Sequence, residues 1–107
     1  MSEVKSLIDN AIAGNKVFVV SKSYCPYCVK AKSALAKFNI PEQHFEWMDI
    51  EKHNDMAAIQ DYMQVLTGGR SVPRVFINGK FFGGGDDTAA AAKNGKLEKV
   101  LAEAGAI

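Results

Sequence analysis

Cysteine is scarce in this sequence, because its 107 residues include only two, Cys25 and Cys28. This number excludes the framework of several disulfides on which many small secreted domains depend. In a reducing compartment, a lone pair of cysteines is more often catalytic, redox-sensing or metal-binding than structural. The pair is therefore the first candidate for function.

The sequence also lacks an excess of either charge. Thirteen basic and twelve acidic side chains give a net charge of +1. Nucleic-acid and membrane-surface partners are disfavoured, because each requires a broad basic surface. No segment has the ~20 apolar residues of a membrane span, and the polar start of the chain, Met1 to Lys5, contains no signal-peptide core. We therefore expect a cytoplasmic protein.

What the sequence does contain is typical of a globular domain. A length of 107 residues and a hydrophobic content of 48% predict one domain, residues 1–107, with one core. We find no internal repeat and no linker.

Hydrophobic periodicity predicts alternating helices and strands. An apolar stripe from Val4 to Ile12 predicts a helix that ends at Gly14, and the apolar run 17–20 predicts a buried central strand. Further stripes predict helices from Cys28 to Phe38 and from Met56 to Leu66, separated by a strand over 45–50. The stripe of the first helix includes Leu7 and that of the third includes Leu66.

The last third of the chain predicts a β-hairpin followed by helices. Asn78-Gly79 stands between the runs 74–77 and 80–82 and favours a type I′ turn, in which both central residues need positive φ. Asp86, Asp87 and Thr88 can cap a helix, and a last short helix follows Gly95. The whole order predicts an α/β fold with a mixed sheet.

The two cysteines lie where a buried strand meets a helix, which is the position of a redox Cys-x-x-Cys motif. Cys25 is predicted at the N-cap and Pro26 at the first helical position, where its missing N–H costs nothing. The free N–H groups of Tyr27 and Cys28, the helix dipole and Lys22 then favour the Cys25 thiolate. Cys25 is thus the predicted nucleophile and Cys28 the shielded resolving thiol.

Two other interpretations of the pair are weaker. A zinc site requires more ligands, and the spacing of His44 and His53 does not match the usual zinc pattern. We predict no metal and expect both histidines at the surface beside the second strand. Two inert core cysteines would not explain the predicted N-cap position of Cys25.

Four segments in one order give a more specific signal than the cysteines alone. The sequence resembles the dithiol glutaredoxins of the Cys-Pro-Tyr-Cys type in the segments 22–28, 67–73, 76–79 and 82–87. The resemblance implies a thioredoxin-like fold, in which a four-stranded mixed β-sheet is flanked by helices on both faces. It also implies a cis peptide bond before Pro73.

The resemblance further implies a site for glutathione as co-substrate, with no tightly bound cofactor. The glycine carboxylate would lie near Lys22, Gln60 and Arg70, and the γ-glutamyl group at the start of the helix after Gly84. Tyr24 and Tyr27 are candidate walls of the cleft, and Arg74 is interpreted as a surface charge of its strand. The implied binding residues are Lys22, Tyr27, Gln60, Arg70, Ser71, Val72, Pro73, Gly85, Asp86 and Asp87.

A phosphate site at Gly83-Gly84-Gly85 is disfavoured, because two aspartates follow and no Gly-Lys-Ser/Thr is present. The implied activity is reduction of protein disulfides and glutathione mixed disulfides by a monomer. A thioredoxin-type protein is disfavoured by the Pro-Tyr between the cysteines, and an iron-sulfur carrier by Pro26. The absorption spectrum of protein purified without air would show whether an iron-sulfur cluster is bound.

Overall fold

The computed structural model describes residues 2–23 and 25–107, with Ser2 described by its backbone alone. The helices are α1 (Ser2–Gly14), α2 (Pro26–Ala36), α3 (Met56–Thr67), α4 (Gly85–Asn94) and α5 (Lys96–Glu103). The strands are β1 (Val17–Ser21), β2 (Phe45–Asp49), β3 (Arg74–Ile77) and β4 (Lys80–Gly83). A short 3₁₀ turn, Glu42–His44, precedes β2.

The four strands form one mixed sheet in the order β2-β1-β3-β4. Strand β1 pairs parallel with β2 and antiparallel with β3, and β3 pairs antiparallel with β4. The turn at Asn78-Gly79 has φ values of 55° and 79°, as a type I′ turn requires. These observations confirm the predicted thioredoxin-like architecture and the hairpin.

Helices cover both faces of the sheet, so β1 is buried along its whole length. Val17 and Val19 face a core made with α2, α4 and α5. Phe18 and Val20 face a second core made with α1 and α3. A strand covered on both faces needs apolar side chains at every position, which explains the unalternated run 17–20.

Two predicted core positions are wrong. Leu7 and Leu66 are 39% and 40% exposed, respectively. The buried stripe of α1 instead comprises Val4, Ile8 and Ala11. In α3, Tyr62 is buried, and its hydroxyl donates to Asp9 Oδ1 at 2.6 Å. The apolar patterns located both helices, but the sheet contacts only part of each apolar face.

This architecture brings the functional segments together at one edge of the fold. The loop after β1 leads directly into α2, and the segment before β3 contains the cis Val72–Pro73 bond that the resemblance implied. Helix α4 begins immediately after β4 and packs against α2. Among the described residues, no helix combines the length and apolar character needed to cross a membrane.

Candidate active site

Cys25 occupies the N-cap of α2, as predicted, with φ and ψ of −91° and 117°. Pro26 follows in the first turn, and the N–H of Val29 donates to the Cys25 carbonyl at 3.0 Å. The Cys25 side chain is partly accessible and both cysteines are free thiols. The first turn of α2 therefore presents the Cys25 sulfur to solvent at the positive end of the helix.

One predicted contact of Cys25 is absent. Its side chain forms no cap hydrogen bond with the N–H groups of α2. The thiol instead donates to the carbonyl oxygen of Val72, with a sulfur–oxygen distance of 3.7 Å. A protonated thiol has a hydrogen to donate and is only a weak acceptor, which explains the preference for a carbonyl. The contact places the reactive sulfur beside the Val72-Pro73 segment.

Cys28 lies one turn farther along α2 and is only 3% exposed. Burial is the main reason that the pKa of the Cys28 thiol is raised to about 12. The backbone N–H of Lys22 lowers this pKa by donating to the sulfur, whereas the neighbouring Cys25 raises it. Cys28 therefore keeps its proton at neutral pH, which leaves Cys25 as the candidate nucleophile.

We expect iodoacetamide at pH 7 to modify Cys25 and to spare Cys28. Because its pKa is raised to about 12, Cys28 is almost entirely a protonated thiol at pH 7, and the thiolate is the reactive form. Time-resolved mass spectrometry should therefore show one added group in the native protein and two after denaturation. Equal rates at the two cysteines of the native protein would contradict the assigned roles.

A groove with a volume of about 460 Å³ adjoins the Cys25 sulfur through Val72. Its lining includes every implied glutathione residue except Lys22, Gln60 and Arg70. The lining residues are Tyr27, Ser71, Val72, Pro73, Arg74, Gly84, Gly85, Asp86 and Asp87. The redox loop, the segment before β3 and the start of α4 thus form one concave surface.

The three remaining candidates, Lys22, Gln60 and Arg70, do not line the groove but form contacts within the protein. The Gln60 amide donates to the Arg70 carbonyl at 2.9 Å, and the Arg70 guanidinium pairs with Asp61 at 2.9 Å. The backbone N–H of Lys22 donates to the Cys28 sulfur. Among the described residues the Lys22 ammonium forms no ion pair.

Asp86 lies at the rim of the groove, where its carboxylate forms an ion pair with the Lys30 side chain. Its Oδ1 accepts from Lys30 Nζ at 2.8 Å, and this hydrogen bond raises the pKa of Lys30. The Lys30 ammonium also lies 5.6 Å from the centre of the Tyr27 ring. Lys30 and Asp86 are 56 positions apart in the sequence, so no local pattern predicts their pairing.

Asp87 supports the start of α4. Its Oδ2 accepts the Gly84 N–H at 3.1 Å, and the Thr88 hydroxyl donates to the Gly84 carbonyl at 2.7 Å. Gly84 is therefore the N-cap, and the two aspartates predicted to cap the helix lie within its first turn. The N–H groups of Gly85 and Asp86 lie in the first turn of α4, where a backbone N–H has no carbonyl acceptor within the helix.

Arg74 is a groove residue that the sequence interpretation assigned wrongly, as a surface charge. It is half-buried and lines the groove. Its position as the first residue of β3, directly after Pro73, was the available signal.

Metal ligation has no structural support in the described part of the chain, where no group of three or more His, Cys, Asp and Glu side chains converges. His44 ends the 3₁₀ turn, and His53 Nδ1 accepts the Asp55 N–H at 3.0 Å. Both histidines therefore flank β2, as predicted. Tyr24, the other candidate cleft wall, lies outside the described residues.

The geometry agrees with comparisons to known proteins. A family model described as Glutaredoxin matches residues 17–82, which contain both cysteines and the cis proline. The chain belongs to the glutaredoxin family. Glutaredoxins are thiol-disulfide oxidoreductases, and this chain is accordingly a glutathione-dependent enzyme of that class.

Relatives cover nearly the whole glutaredoxin chain. Glutaredoxin-1 of Rhizophagus irregularis is 40% identical over 102 residues, covering 95% of this chain and 98% of its own length. The crystal structure of oxidized glutaredoxin 2 from Chlamydomonas reinhardtii is 59% identical with a TM-score of 0.92, covering 99% of this chain and 97% of that one. A buckwheat glutaredoxin–glutathione complex is 32% identical with a TM-score of 0.88, covering 99% and 94% of the two chains.

Proposed function

We propose that this glutaredoxin reduces glutathione mixed disulfides and protein disulfides, acting as a monomer in the cytoplasm. The observation that carries the proposal is the 3.7 Å contact between the Cys25 sulfur and the Val72 carbonyl, at the groove that ends on α4. A tripeptide disulfide lying in this groove would have its central sulfur beside Cys25. The solved complex of buckwheat glutaredoxin with glutathione supports the choice of ligand.

Two features of the groove suit the groups of glutathione. The Val72 backbone can pair with the extended peptide as a neighbouring strand would, beside Tyr27 and Pro73. The γ-glutamyl carboxylate would accept from the N–H groups of Gly85 and Asp86, where the helix dipole favours an anion. The ammonium of the γ-glutamyl group would lie at the Asp86 carboxylate, which already forms an ion pair with Lys30.

The proposed cycle on a glutathione mixed disulfide requires only Cys25. The Cys25 thiolate attacks the glutathione sulfur, the S–S bond to the substrate breaks, and the substrate thiolate leaves and takes a proton. A second glutathione, as the thiolate, then attacks the glutathione sulfur bound to Cys25. Oxidised glutathione leaves, and the Cys25 thiolate is restored.

A protein disulfide requires Cys28 as well. Attack by Cys25 leaves the substrate bound through one sulfur, and the Cys28 sulfur must then attack Cys25 to release it. Once Cys25 is in a disulfide it no longer contributes a negative charge, so one cause of the raised Cys28 pKa is removed while the Lys22 N–H remains. Two glutathione molecules reduce the resulting Cys25–Cys28 disulfide.

We expect Asp86→Ala to raise the KM for glutathione about threefold, because one charged contact at a solvent-exposed rim is lost. The measurement is a coupled assay with glutathione, glutathione reductase and a cysteine–glutathione mixed disulfide. The rate of Cys25 alkylation should stay unchanged, because Asp86 contacts Lys30 and not the thiol.

The matched control is Glu98→Gln, which removes an exposed acid from the first turn of α5, away from the groove. Its KM should equal that of the unmodified protein. If the unmodified protein shows no activity in this assay, the proposed function is wrong. If only Asp86→Ala has no effect, the γ-glutamyl group binds elsewhere.

A further inference from the structure

Helix α2 and the segments next to it carry charge of one sign. Residues 22–41 contain four lysines and no acidic residue, namely Lys22, Lys30, Lys32 and Lys37. The whole chain has a net charge of only +1, so the rest of the chain is net acidic. A local excess of positive charge attracts partners of the opposite sign, and this excess surrounds the redox loop.

Two of these lysines lie on opposite sides of α2, as residues two positions apart on a helix do. Lys30 faces α4, where it pairs with Asp86 at 2.8 Å. Lys32 faces the edge strand β2, and its ammonium lies 5.5 Å from the centre of the Trp47 ring. Within residues 2–23 and 25–107, no carboxylate forms an ion pair with Lys32. The side of α2 away from the groove therefore presents a cation that is not neutralised.

This side of α2 is also apolar. Val29, Lys32 and Ala36 lie on one face of the helix and are exposed, Val29 to 61%. The row ends at a pocket of about 220 Å³, lined by Lys32, Leu35, Ala36, Phe38, Ile40 and Phe45. Pockets for small molecules start at roughly 300 Å³. The smaller volume and the apolar lining suit a single apolar side chain of a bound peptide.

The row begins beside the reactive sulfur, because Cys25 is the N-cap of α2. A rise of 1.5 Å per residue places Lys32 about 10 Å and Ala36 about 16 Å from Cys25 along the helix. An extended peptide advances about 3.3 Å per residue, so it covers these distances with about three and about five residues. Alternate residues of an extended chain share one side, so the third and fifth residues can both face α2.

We infer that the α2 face formed by Val29, Lys32, Ala36 and this pocket binds the polypeptide of disulfide substrates. It selects segments with an acidic residue about three positions from the reacting cysteine and an apolar residue about five positions from it. The acidic side chain pairs with Lys32, and the apolar side chain enters the pocket. The inference rests on the proposed function, in which the groove on the other side of α2 holds the glutathionyl group.

The test uses three glutathionylated peptides of eleven residues, each with its cysteine at the centre. The first has glutamate three residues and leucine five residues away on both sides, so that either chain direction is covered, and glycine and serine elsewhere. The second has glutamine for glutamate, and the third has serine for leucine. In the coupled assay at low ionic strength, kcat/KM for the first peptide should exceed that for the second about threefold, as an exposed ion pair allows. It should exceed that for the third about tenfold, because a leucine is buried.

Two variants assign these preferences to residues. Lys32→Gln should lose the preference for glutamate and keep the preference for leucine. Ala36→Trp, which fills the rim of the pocket from an exposed position, should lose the preference for leucine. A merely structural effect of either change would alter kcat/KM for the three peptides alike. Lys80→Gln is the matched control, because it removes an exposed cation at β4, the opposite edge of the sheet, and it should keep both preferences.

The unmodified protein alone can refute the inference, whether or not the variants fold. Equal kcat/KM values for the three peptides would overturn it, and the proposed function would stand. A glutamate preference that persists in Lys32→Gln would also overturn it, because the charge would then be recognised elsewhere. If the unmodified protein reduces none of the three peptides, the proposed function itself is wrong.

Discussion

Cys25→Ser should abolish the reduction of both glutathione mixed disulfides and protein disulfides, to the uncatalysed rate. A serine hydroxyl does not ionise near neutral pH, and Cys28 cannot replace the lost nucleophile because it is buried and its pKa is about 12. The measurement is the coupled assay with each substrate under the same supply of glutathione. Stability should change little, because Cys25 is partly exposed and its hydrogen bond to the Val72 carbonyl is long.

Cys28→Ser is the matched comparison, since it removes the other sulfur of the pair. It should keep activity on glutathione mixed disulfides, because the cycle on Cys25 alone is complete, and an unproductive Cys25–Cys28 disulfide can no longer form. It should lose much of its activity on protein disulfides, where Cys28 must release the substrate. Equal loss on both substrates would show an obligatory dithiol mechanism and contradict the cycle proposed above.

The fold could be predicted from the sequence where the signal is local. The run 17–20 identifies a strand covered on both faces, and Asn78-Gly79 specifies the hairpin turn through its positive φ values. Pro26 after Cys25 locates the start of α2. In each case a few adjacent residues restrict the backbone regardless of the rest of the chain.

The parts of the site that escaped prediction depend on contacts between distant segments. The partner of Asp86 is Lys30, and the thiol of Cys25 reaches the carbonyl of Val72, 47 residues away. The packing of Arg74 depends on Phe81 across the hairpin and on the close approach of Gly69. Such pairings follow from how the sheet places its strands, so neither periodicity nor spacing reveals them.

Gly85→Ala should destabilise the fold by about 1–3 kcal/mol, the usual cost of overpacking a buried position. Gly85 is buried in the first turn of α4, and a Cβ there would overlap the carbonyl oxygen of Tyr27 and lie 3.0 Å from its Cβ. The overlapped atom belongs to the backbone of α2, so no side-chain rotation can relieve it. Chemical denaturation measures the change in the free energy of unfolding.

Gly14→Ala is the matched control, because it adds the same methyl group at the end of α1 with nothing within 4 Å. That change should be neutral or stabilising by up to about 1 kcal/mol, since alanine favours the helix and restricts the unfolded chain. A Gly85→Ala protein as stable as the Gly14→Ala protein would contradict the close packing of α2 and α4.

Relief of the overlap requires α4 to move away from Tyr27, and this movement displaces the Gly85 and Asp86 N–H groups from the groove. The KM for glutathione should therefore rise together with the loss of stability, which links the spacing of two helices to the proposed binding of the γ-glutamyl group.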